Sequence, residues 1–427
     1  MLMQRQGLTR RQPSGSLIFA LVLLCLFSAR AATREKVLHA FSGGTRDGCL
    51  PNAGLIFDAV GNLYGTTISC STHGSGIVFE LASGSKWTET VLHSFGAGND
   101  ARDPWAGLVF DAGGNLYGTT HDGGLSGAVF QLTPSSSGWK ETVLHRFNYL
   151  HGDGSDPFAG LVLDQAGNLY GTTSYGGKYL AGTVFGLKKS SSGHWKESIL
   201  HNFGQVNDGG NLQSGLIWGA DGSLYGTTTF GGSHAKECSP GCGTVFKLTP
   251  TSGGWKEHIL YSFNWVPGGR DGYGPYAGVA FDAAGNLYGT TAAGGTSTAC
   301  VDGCGTVFKL TSTQGGGWKE SILHEFDQGP GGNAPFAGVV VDKAGNLYGT
   351  TVGGGIGPCQ RGGCGVVFKL APSQGKWTYS VLYRFTGGAD GAEPFAPLIF
   401  DSQYKHLYGT TTYGGAAGQG VVFEITP

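Results

Sequence analysis

The sequence has little charge. Lys, Arg, Asp and Glu together make up 13% of the 427 residues, and the formal net charge is −2. A protein that binds nucleic acid usually carries a basic patch, so this composition argues against a nucleic-acid partner. Helical periodicity is also missing, and no apolar run beyond the N-terminal region is long enough to span a membrane. A helical membrane protein is therefore not expected.

The N-terminus resembles a secretory signal. Arg10 and Arg11 precede the apolar segment Leu17–Phe27, which is too short for a comfortable membrane span, and an A-x-A-like site follows. Residues 1–31 are predicted to be a signal peptide, and residues 32–427 the mature chain. The alternative is an uncleaved anchor. Cleavage predicts an exported protein, either secreted, on the cell surface or in the periplasm, with no membrane span after signal removal.

One motif recurs along the rest of the chain. Gly-Asn-Leu-Tyr-Gly-Thr-Thr first occurs at Gly61–Thr67 and has seven copies, two of them weaker, at Gly222–Thr228 and Lys405–Thr411. Their tyrosines are 53 to 63 residues apart. A spacing of this size indicates a repeat architecture.

Each repeat contains four short runs rich in β-branched and aromatic residues, separated by turn residues. We name them strand A (Gly-Leu-x-Phe-Asp), strand B (Leu-Tyr-Gly-Thr-Thr), strand C (Gly-x-Val-Phe-x-Leu) and strand D (Trp-Lys-Glu-x-Val-Leu-His-x-Phe). Seven repeats of four antiparallel strands predict an all-β, seven-bladed β-propeller.

The two ends of the repeat array predict how the ring closes. The last repeat stops at strand C, Val421–Ile425, whereas an extra strand of type D, Glu35–Phe41, precedes the first repeat. Residues 32–41 are therefore expected to form the outer strand of the last blade, which removes an open edge. The seven repeats run from about residue 53 to residue 427 and form a single domain.

The cysteines suggest disulfide bonds. Of nine cysteines, Cys25 lies in the predicted signal, which leaves an even number for an oxidising compartment. Three pairs are close in sequence, and Cys49 and Cys70 are left for each other. The predicted bridges are Cys49–Cys70, Cys238–Cys242, Cys300–Cys304 and Cys359–Cys364.

The repeat unit resembles the GloVer tandem repeat, also called the choice-of-anchor repeat, of exported bacterial proteins. The likeness rests on Leu-Tyr-Gly-Thr-Thr, Gly-Thr-Val-Phe-Lys-Leu and Trp-Lys-Glu and covers nearly all of the mature chain. It implies a bacterial cell-surface or secreted protein, and it supplies no catalytic residues. More distantly, Asp-x-x-Gly-Asn-Leu-Tyr is similar to NHL-type and lactonase-like β-propellers, a likeness that concerns fold rather than function.

Three residue types recur at fixed positions in most of the repeats, and each is expected to be structural. The aspartates that end strand A should cap their own turns rather than form a cation-binding ring. The histidines of strand D lie on different blades, too far apart to share a zinc ion. The tryptophans of strand D should seal neighbouring blades. The positions are Asp58, Asp111, Asp164, Asp282, Asp342 and Asp401; His39, His93, His145, His201 and His324; and Trp87, Trp139, Trp195, Trp255, Trp318 and Trp377.

The connections from strand D to strand A hold the candidate binding residues. Five of them carry Pro followed by an aromatic residue just before the innermost strand, and Asn52 and Gln213 occupy the other two copies. These aromatics should ring the mouth of the channel, where they would either bind a glycan or peptide or fill the gaps between blades. They are Trp105, Phe158, Tyr276, Phe336 and Phe395.

No catalytic residues, metal site or cofactor is predicted, because the A strands bring no charge to the channel except the terminal Asp. The leading hypothesis is a monomeric, non-enzymatic binding or scaffold module for an extracellular glycan or protein. The alternative is a propeller hydrolase or lyase acting on a polysaccharide or lactone at the loop-rich face, and a purely structural envelope protein is a third. The enzyme would require a charged cluster, for which the loops offer Arg46, Arg102, Asp103, His121, Asp156, Arg270 and Glu393.

Overall fold

The computed structural model describes residues 34–98, 100–234, 238 and 240–427. They belong to one compact unit, Thr33–Pro427. The predicted signal peptide and the start of the mature chain lie outside the described residues.

The described chain forms a seven-bladed β-propeller of four-stranded antiparallel sheets, as predicted. The A strands are Ile56–Phe57, Val109–Phe110, Val162–Leu163, Ile217–Trp218, Ala280–Phe281, Val340–Val341 and Ile399–Phe400. The B strands are Leu63–Thr67, Leu116–Thr120, Leu169–Thr173, Leu224–Thr228, Leu287–Thr291, Leu347–Thr351 and Leu407–Thr411. The C strands are Ile77–Ala82, Ala128–Ser135, Thr183–Lys189, Thr244–Thr251, Thr306–Ser312, Val366–Ser373 and Val421–Thr426. The D strands of blades 1 to 6 are Thr88–Ser94, Gly138–Arg146, Trp195–Asn202, Gly254–Ser262, Trp318–Glu325 and Lys376–Arg384, and Arg34–Ala40 is that of blade 7. The only helix in the described part is a 3-10 turn, Tyr149–His151.

The recurring Leu-Tyr-Gly-Thr-Thr motif is explained by contacts on both sides of strand B. Its glycine faces the phenylalanine of strand C: a Cβ on Gly226 would lie 2.6 Å from the Phe246 ring. Its first threonine donates a hydrogen bond to the next blade, as from Thr66 to the Ala106 carbonyl at 3.0 Å. The corresponding threonines of the other six blades are Thr119, Thr172, Thr227, Thr290, Thr350 and Thr410. The motif therefore both packs its own blade and ties it to the next.

The ring closes through the N-terminal strand, as predicted. Arg34–Ala40 pairs antiparallel with Val421–Thr426 and completes blade 7. Thr410 of blade 7 donates to the Ala53 carbonyl at 3.2 Å. Aromatic packing crosses the same boundary, since Tyr408 lies edge-on to Phe57 with ring centroids 5.1 Å apart.

The aspartates after strand A cap their turns, as expected. Asp58 Oδ1 accepts the backbone N–H groups of Val60 and Asn62, and its Oδ2 accepts the Asn62 amide and the Tyr64 hydroxyl. Equivalent bonds hold Asp111, Asp164, Asp282 and Asp342. These carboxylates are thus engaged within their own hairpins.

The tryptophans of strand D pack against the strand-B tyrosine of the preceding blade. Trp195 lies 6.1 Å from Tyr117, and Trp255 lies 6.0 Å from Tyr170, between ring centroids. Trp87 and Trp377 make the same contact with Tyr408 and Tyr288. The expectation that these rings seal adjacent blades is confirmed.

Except for His324 of blade 5, the histidines of strand D pair with an aspartate of the following connection. His39 Nε2 lies 2.7 Å from Asp47 Oδ1, and His201 Nε2 lies 3.3 Å from Asp208 Oδ2. Tyr261 takes the histidine position in blade 4 and donates to its own aspartate at 3.0 Å. A tyrosine hydroxyl can take the place of a histidine N–H as the hydrogen-bond donor to the aspartate. This exchange supports a structural role for the residues at this repeat position.

A glutamate of the neighbouring D strand completes each of these clusters. Glu257 faces Asp208 across the boundary between blades 3 and 4, and burial, followed by the Asp208 charge, raises its pKa to about 8. Glu257 Oε1 is buried without a hydrogen-bond partner in the described structure. One imidazole nitrogen of His201 and one carboxylate oxygen each of Asp208 and Glu257 lie within 4.8 Å of one another. The corresponding atoms of His39, Asp47 and Glu89 are equally close. The glutamates at this repeat position are Glu35, Glu89, Glu141, Glu197, Glu257 and Glu320.

Candidate functional site

The propeller has one face built from the D–A connections and the B–C loops, which we call the loop face. In every blade these two segments pair with each other, through a two-stranded ribbon in three blades and an isolated bridge in four. The ribbons are Gly154–Ser155 with Tyr175–Gly176, Gly209–Gly210 with Phe230–Gly231, and Gly272–Tyr273 with Ala293–Gly294. The bridges are Cys49 with Ser69, Arg102 with Asp122, Asn333 with Gly353, and Ala392 with Tyr413. Sequence reasoning did not anticipate this pairing, which holds the loop face in a defined arrangement.

The connection then passes through a residue with left-handed backbone before it reaches the centre. Asp103, Asp156 and Glu393 have φ near +57°, at 58°, 56° and 56°. This conformation is uncommon for residues other than Gly, although Asn and Asp adopt it more readily than most. Asp103 donates its backbone N–H to the Ser75 carbonyl of blade 1 at 3.1 Å, and its own carbonyl accepts the backbone N–H of His121 at 2.9 Å. Hydrogen bonds between blades therefore fix the position of the residues that follow.

Those residues form the mouth ring, which we define as Asn52, Trp105, Phe158, Gln213, Tyr276, Phe336 and Phe395. All seven line one central cavity of about 570 Å³, together with residues of the A strands. The five aromatics are half-buried, so each keeps part of its ring at the cavity surface. The structure thus brings together the aromatic residues selected from the sequence. Whether they bind a ligand remains a prediction.

The aromatics fall into two groups around the ring. Trp105 and Phe158 lie edge to face with centroids 5.6 Å apart. Tyr276 lies 5.0 Å from Phe336, which lies 5.5 Å from Phe395. Asn52 and Gln213 separate the two groups, so the mouth alternates aromatic surfaces with planar amides.

Beside the first group lies a charged cluster from blades 2 and 3. His121 is 4.6 Å from the Phe158 ring, between centroids, and its Nε2 is 4.0 Å from Asp156 Oδ1. Burial, followed by the Asp122 charge, raises the pKa of Asp103. Burial also raises the pKa of Asp156, against the effect of the His121 charge. Of the predicted loop charges, Asp103, His121 and Asp156 are therefore brought together, and Asp122 was missed.

Beside the second group lies Arg361, which sequence reasoning also missed. Its guanidinium carbon is 5.4 Å from the Phe336 centroid and 6.0 Å from the Phe395 centroid. Burial raises the pKa of Glu393, and the positive charge of Arg361 opposes part of that rise. A sequence signal existed, because Arg361 is the only Lys or Arg enclosed by any predicted disulfide. Arg270 instead pairs with Glu325, and Arg46 and Arg102 are exposed.

All four disulfides join the predicted cysteines, with Cα separations of 5.0 to 5.2 Å. Three of them lie in the B–C loops of blades 4, 5 and 6. They lie in three adjacent loops on one side of the loop face, and a stiffening effect on these loops stays a prediction. Such bonds are consistent with an oxidising, extracytoplasmic environment. No helix among the described residues is long and apolar enough to cross a membrane.

The repeat geometry agrees with a comparison at the level of sequence families. The model of the Gloeobacter/Verrucomicrobia repeat matches residues 25–238 and 234–427. The chain belongs to this repeat family. The two matches together span all seven blades, so the resemblance inferred from the motifs is confirmed. No protein of curated function matches the sequence.

Solved structures share the fold at low sequence identity. A candidate 6-phosphogluconolactonase from Bacteroides uniformis aligns with a TM-score of 0.50 and 14% identity, over 82% of this chain and 88% of that one. A chain of the mitotic checkpoint complex aligns with a TM-score of 0.51 and 10% identity, over 99% and 98%. The first likeness agrees with the lactonase-like resemblance of the A–B hairpin. At these identities the likeness concerns the propeller fold alone.

Proposed function

We propose that this protein is an exported binding module that holds a glycan chain at the mouth ring. The observation that carries the proposal is the convergence of five half-buried aromatics and two amide side chains on one cavity of about 570 Å³. Aromatic faces suit the apolar faces of sugar rings, and planar amides suit their hydroxyl groups. The hydrogen-bonded loop pairing supports a rigid site, which lowers the entropic cost of binding.

The rest of the loop face supports an extended ligand rather than a small one. Large hydrophobic side chains that are exposed in the described chain lie mostly on this face, and only Val60 and Tyr404 lie on the opposite face. Those on the loop face are Leu125, Tyr149, Leu150, Tyr175, Tyr179, Leu180, Val206, Val266, Val301, Ile356 and Tyr413. Apolar surface collected on one face is a mark of a contact surface. A polymer reaching from the mouth across the loops would cover part of it.

The test is a glycan array probed with the purified mature protein, followed by titration of each hit. Trp105→Ala and Phe336→Ala remove one ring from each aromatic group and should each weaken binding by about 0.5–2 kcal/mol. Tyr404→Ala removes an exposed aromatic from the opposite face and serves as the control. Unchanged affinity for the mouth variants would contradict the proposal, as would binding to peptides alone.

A second candidate function is an enzyme acting on a polysaccharide, and the charged cluster of blades 2 and 3 favours it. Asp103 and Asp156 carry raised pKa values beside His121, next to the Trp105 and Phe158 rings. A general acid must carry its proton at the working pH, and a raised pKa extends the pH range over which a carboxyl group does so. Incubating a glycan hit with the protein and analysing it by mass spectrometry tests this function. Cleavage that is lost in Asp156→Asn would favour the enzyme, and an intact glycan the binding module.

We also propose that residues 1–31 are removed on export and that the mature chain is monomeric. The disulfides in the loops support an oxidising destination. N-terminal sequencing of the protein recovered outside the cytoplasm should begin near Ala32. Light scattering should give the mass of one chain, and a larger mass would contradict the monomer.

A further inference from the structure

Arg361 is held in place at the edge of the mouth ring. Its carbonyl oxygen accepts hydrogen bonds from the Asn333 amide at 3.1 Å and from the Gly354 N–H at 3.2 Å. The Cys359–Cys364 disulfide closes the short loop that carries it. Its guanidinium lies over the rings of Phe336 and Phe395. A guanidinium over aromatic rings can still offer its N–H groups to an anion.

The charge of Arg361 is available to a ligand. The side chain is exposed and makes no ion pair with any residue that the structure describes. Arg270, on the same face, provides a contrast because its guanidinium contacts Glu325 at 2.7 Å. The guanidinium of Arg270 is thus already paired with a carboxylate of the protein, whereas the guanidinium of Arg361 forms no such ion pair with a described residue.

A side cleft connects Arg361 with the mouth. The cleft has a volume of about 440 Å³ and shares Tyr276 and Phe336 with the mouth ring. The disulfide-closed loop of Cys300–Cys304 lines it and includes one acidic residue, Asp302, and Gln328 adds an amide. If one sugar of the glycan stacks on Tyr276 or Phe336, the cleft therefore has room for the next sugar of the chain beside Arg361.

We infer that the glycan ligand is acidic and that Arg361 binds one of its carboxylates in this side cleft. The inference rests on the proposed function, because it names the chemical class of the ligand held at the mouth. Guanidinium and carboxylate groups match in a planar, two-pronged hydrogen bond, so a uronic acid residue fits this position. Arg361 then determines the specificity for acidic sugars, and the aromatic rings contribute affinity that does not depend on whether a sugar is charged.

The experiment uses the mature protein with its disulfides intact. Calorimetric titrations are made with hexamers containing galacturonate, glucuronate or mannuronate, and with the same hexamers after reduction of the carboxyl groups to alcohols. Arg361→Gln keeps a hydrogen-bonding amide but removes the charge, and Arg270→Gln is the matched control. At least one oligouronate should bind, and either carboxyl reduction or Arg361→Gln should weaken it about 10- to 100-fold. Arg270→Gln should change the affinity less than about twofold, as expected for a paired charge outside the cleft.

The outcomes separate the two proposals. Equal affinity for an oligouronate and its reduced form, or full binding by Arg361→Gln, would overturn the inference and leave glycan binding intact. Binding of no acidic or neutral glycan would overturn the proposed function as well. Binding of poly-glutamate peptides without any glycan would overturn the assignment to a glycan. Thermal unfolding of each variant excludes loss of fold as the cause.

Discussion

Tyr379 lies flat against His324 at the boundary between blades 5 and 6, with ring centroids 3.9 Å apart and an interplanar angle of 2°. Its hydroxyl donates to the Gly331 carbonyl. At this repeat position the other six blades carry glutamate, and Gly331 stands where the other connections carry aspartate. The two acids are therefore replaced together, which indicates that the glutamate and the aspartate of the other boundaries act as a pair.

The paired acids predict that the fold loses stability as the pH rises. Burial raises the pKa of Glu89 to about 7 and that of Glu320 to about 8, from 4.5 in the unfolded chain. Between these values the folded state holds protons that the unfolded state has released, so the stabilisation present below about pH 4.5 disappears by about pH 8. His324 opposes this trend, since burial lowers its pKa to about 4, but it is one group against six. Thermal midpoints should be higher at about pH 5 than at about pH 8.5, and the reverse order would contradict the paired protonation.

Replacing one glutamate of a pair should remove part of this pH dependence. Glu257→Gln keeps the shape of the side chain but has no proton to lose, so it should stabilise the protein at about pH 8.5 relative to wild type. Glu325→Gln is the matched control, because hydrogen bonds from Thr296 and the Arg270 charge lower the pKa of Glu325 despite its burial. It should destabilise at the same pH. If a divalent metal ion instead raises the thermal midpoint of the wild-type protein, a cation binds between the paired glutamate and aspartate.

Removal of the N-terminal strand should open the ring. Deleting residues 32–41 leaves Val421–Thr426 without its partner and exposes the edge of blade 7. The expected result is aggregation or a large loss of thermal stability, measured by calorimetry and size-exclusion chromatography. A truncated protein that melts like the intact mature chain would show that closure does not depend on this strand.

The glycine of strand B should not tolerate a methyl group. In Gly226→Ala the new Cβ would lie 2.6 Å from Phe246, so the core must shift, at a cost of about 1–3 kcal/mol. Gly253→Ala, in the C–D turn of the same blade, meets no atom within 4 Å. It should leave the free energy of unfolding unchanged or raise it slightly. Urea denaturation distinguishes the two variants, and similar midpoints would contradict the packing explanation.

The disulfides should differ in their effect on stability. Cys49 and Cys70 are 21 residues apart, whereas Cys359 and Cys364 are 5 apart. Loop-closure entropy predicts losses of about 3 and about 2 kcal/mol when each pair is changed to serine. Peptide mapping under non-reducing conditions checks the pairing itself, and denaturant titrations check the order of the two losses.

The sequence predicts those parts of the molecule that follow from the repeat. Blade number, strand order, ring closure and the adjacency of Trp105 and Phe158 all follow from the spacing of one motif. The extent of strand A does not: residues 54–58 were expected to be extended, but only Ile56–Phe57 pairs in the sheet. The A strands crowd around the axis, and a Cβ on Gly107 would lie 3.0 Å from the Gly54 carbonyl of the neighbouring blade.

The missed residues of the site belong to loops that differ between blades. Arg361 reaches Phe336 and Phe395 only because its loop folds back toward the mouth, and a periodic pattern carries no information about such a path. Asp122 joins the charged cluster through its electrostatic effect on Asp156 of the next blade. Contacts of this kind depend on the three-dimensional placement of two non-equivalent loops.

The strand exchange at blade 7 also sets an order of events during synthesis. Arg34 pairs with Thr426, so the first strand of the described chain to leave the ribosome must wait for the last one. During that interval the early strand offers unpaired backbone groups to any neighbouring chain. Chains that end before the final blade keep this strand unpaired. We expect its exposed backbone groups to make such chains prone to aggregation and to recognition by chaperones or proteases. The ring can therefore close only after the last strand, Val421–Thr426, has been synthesised.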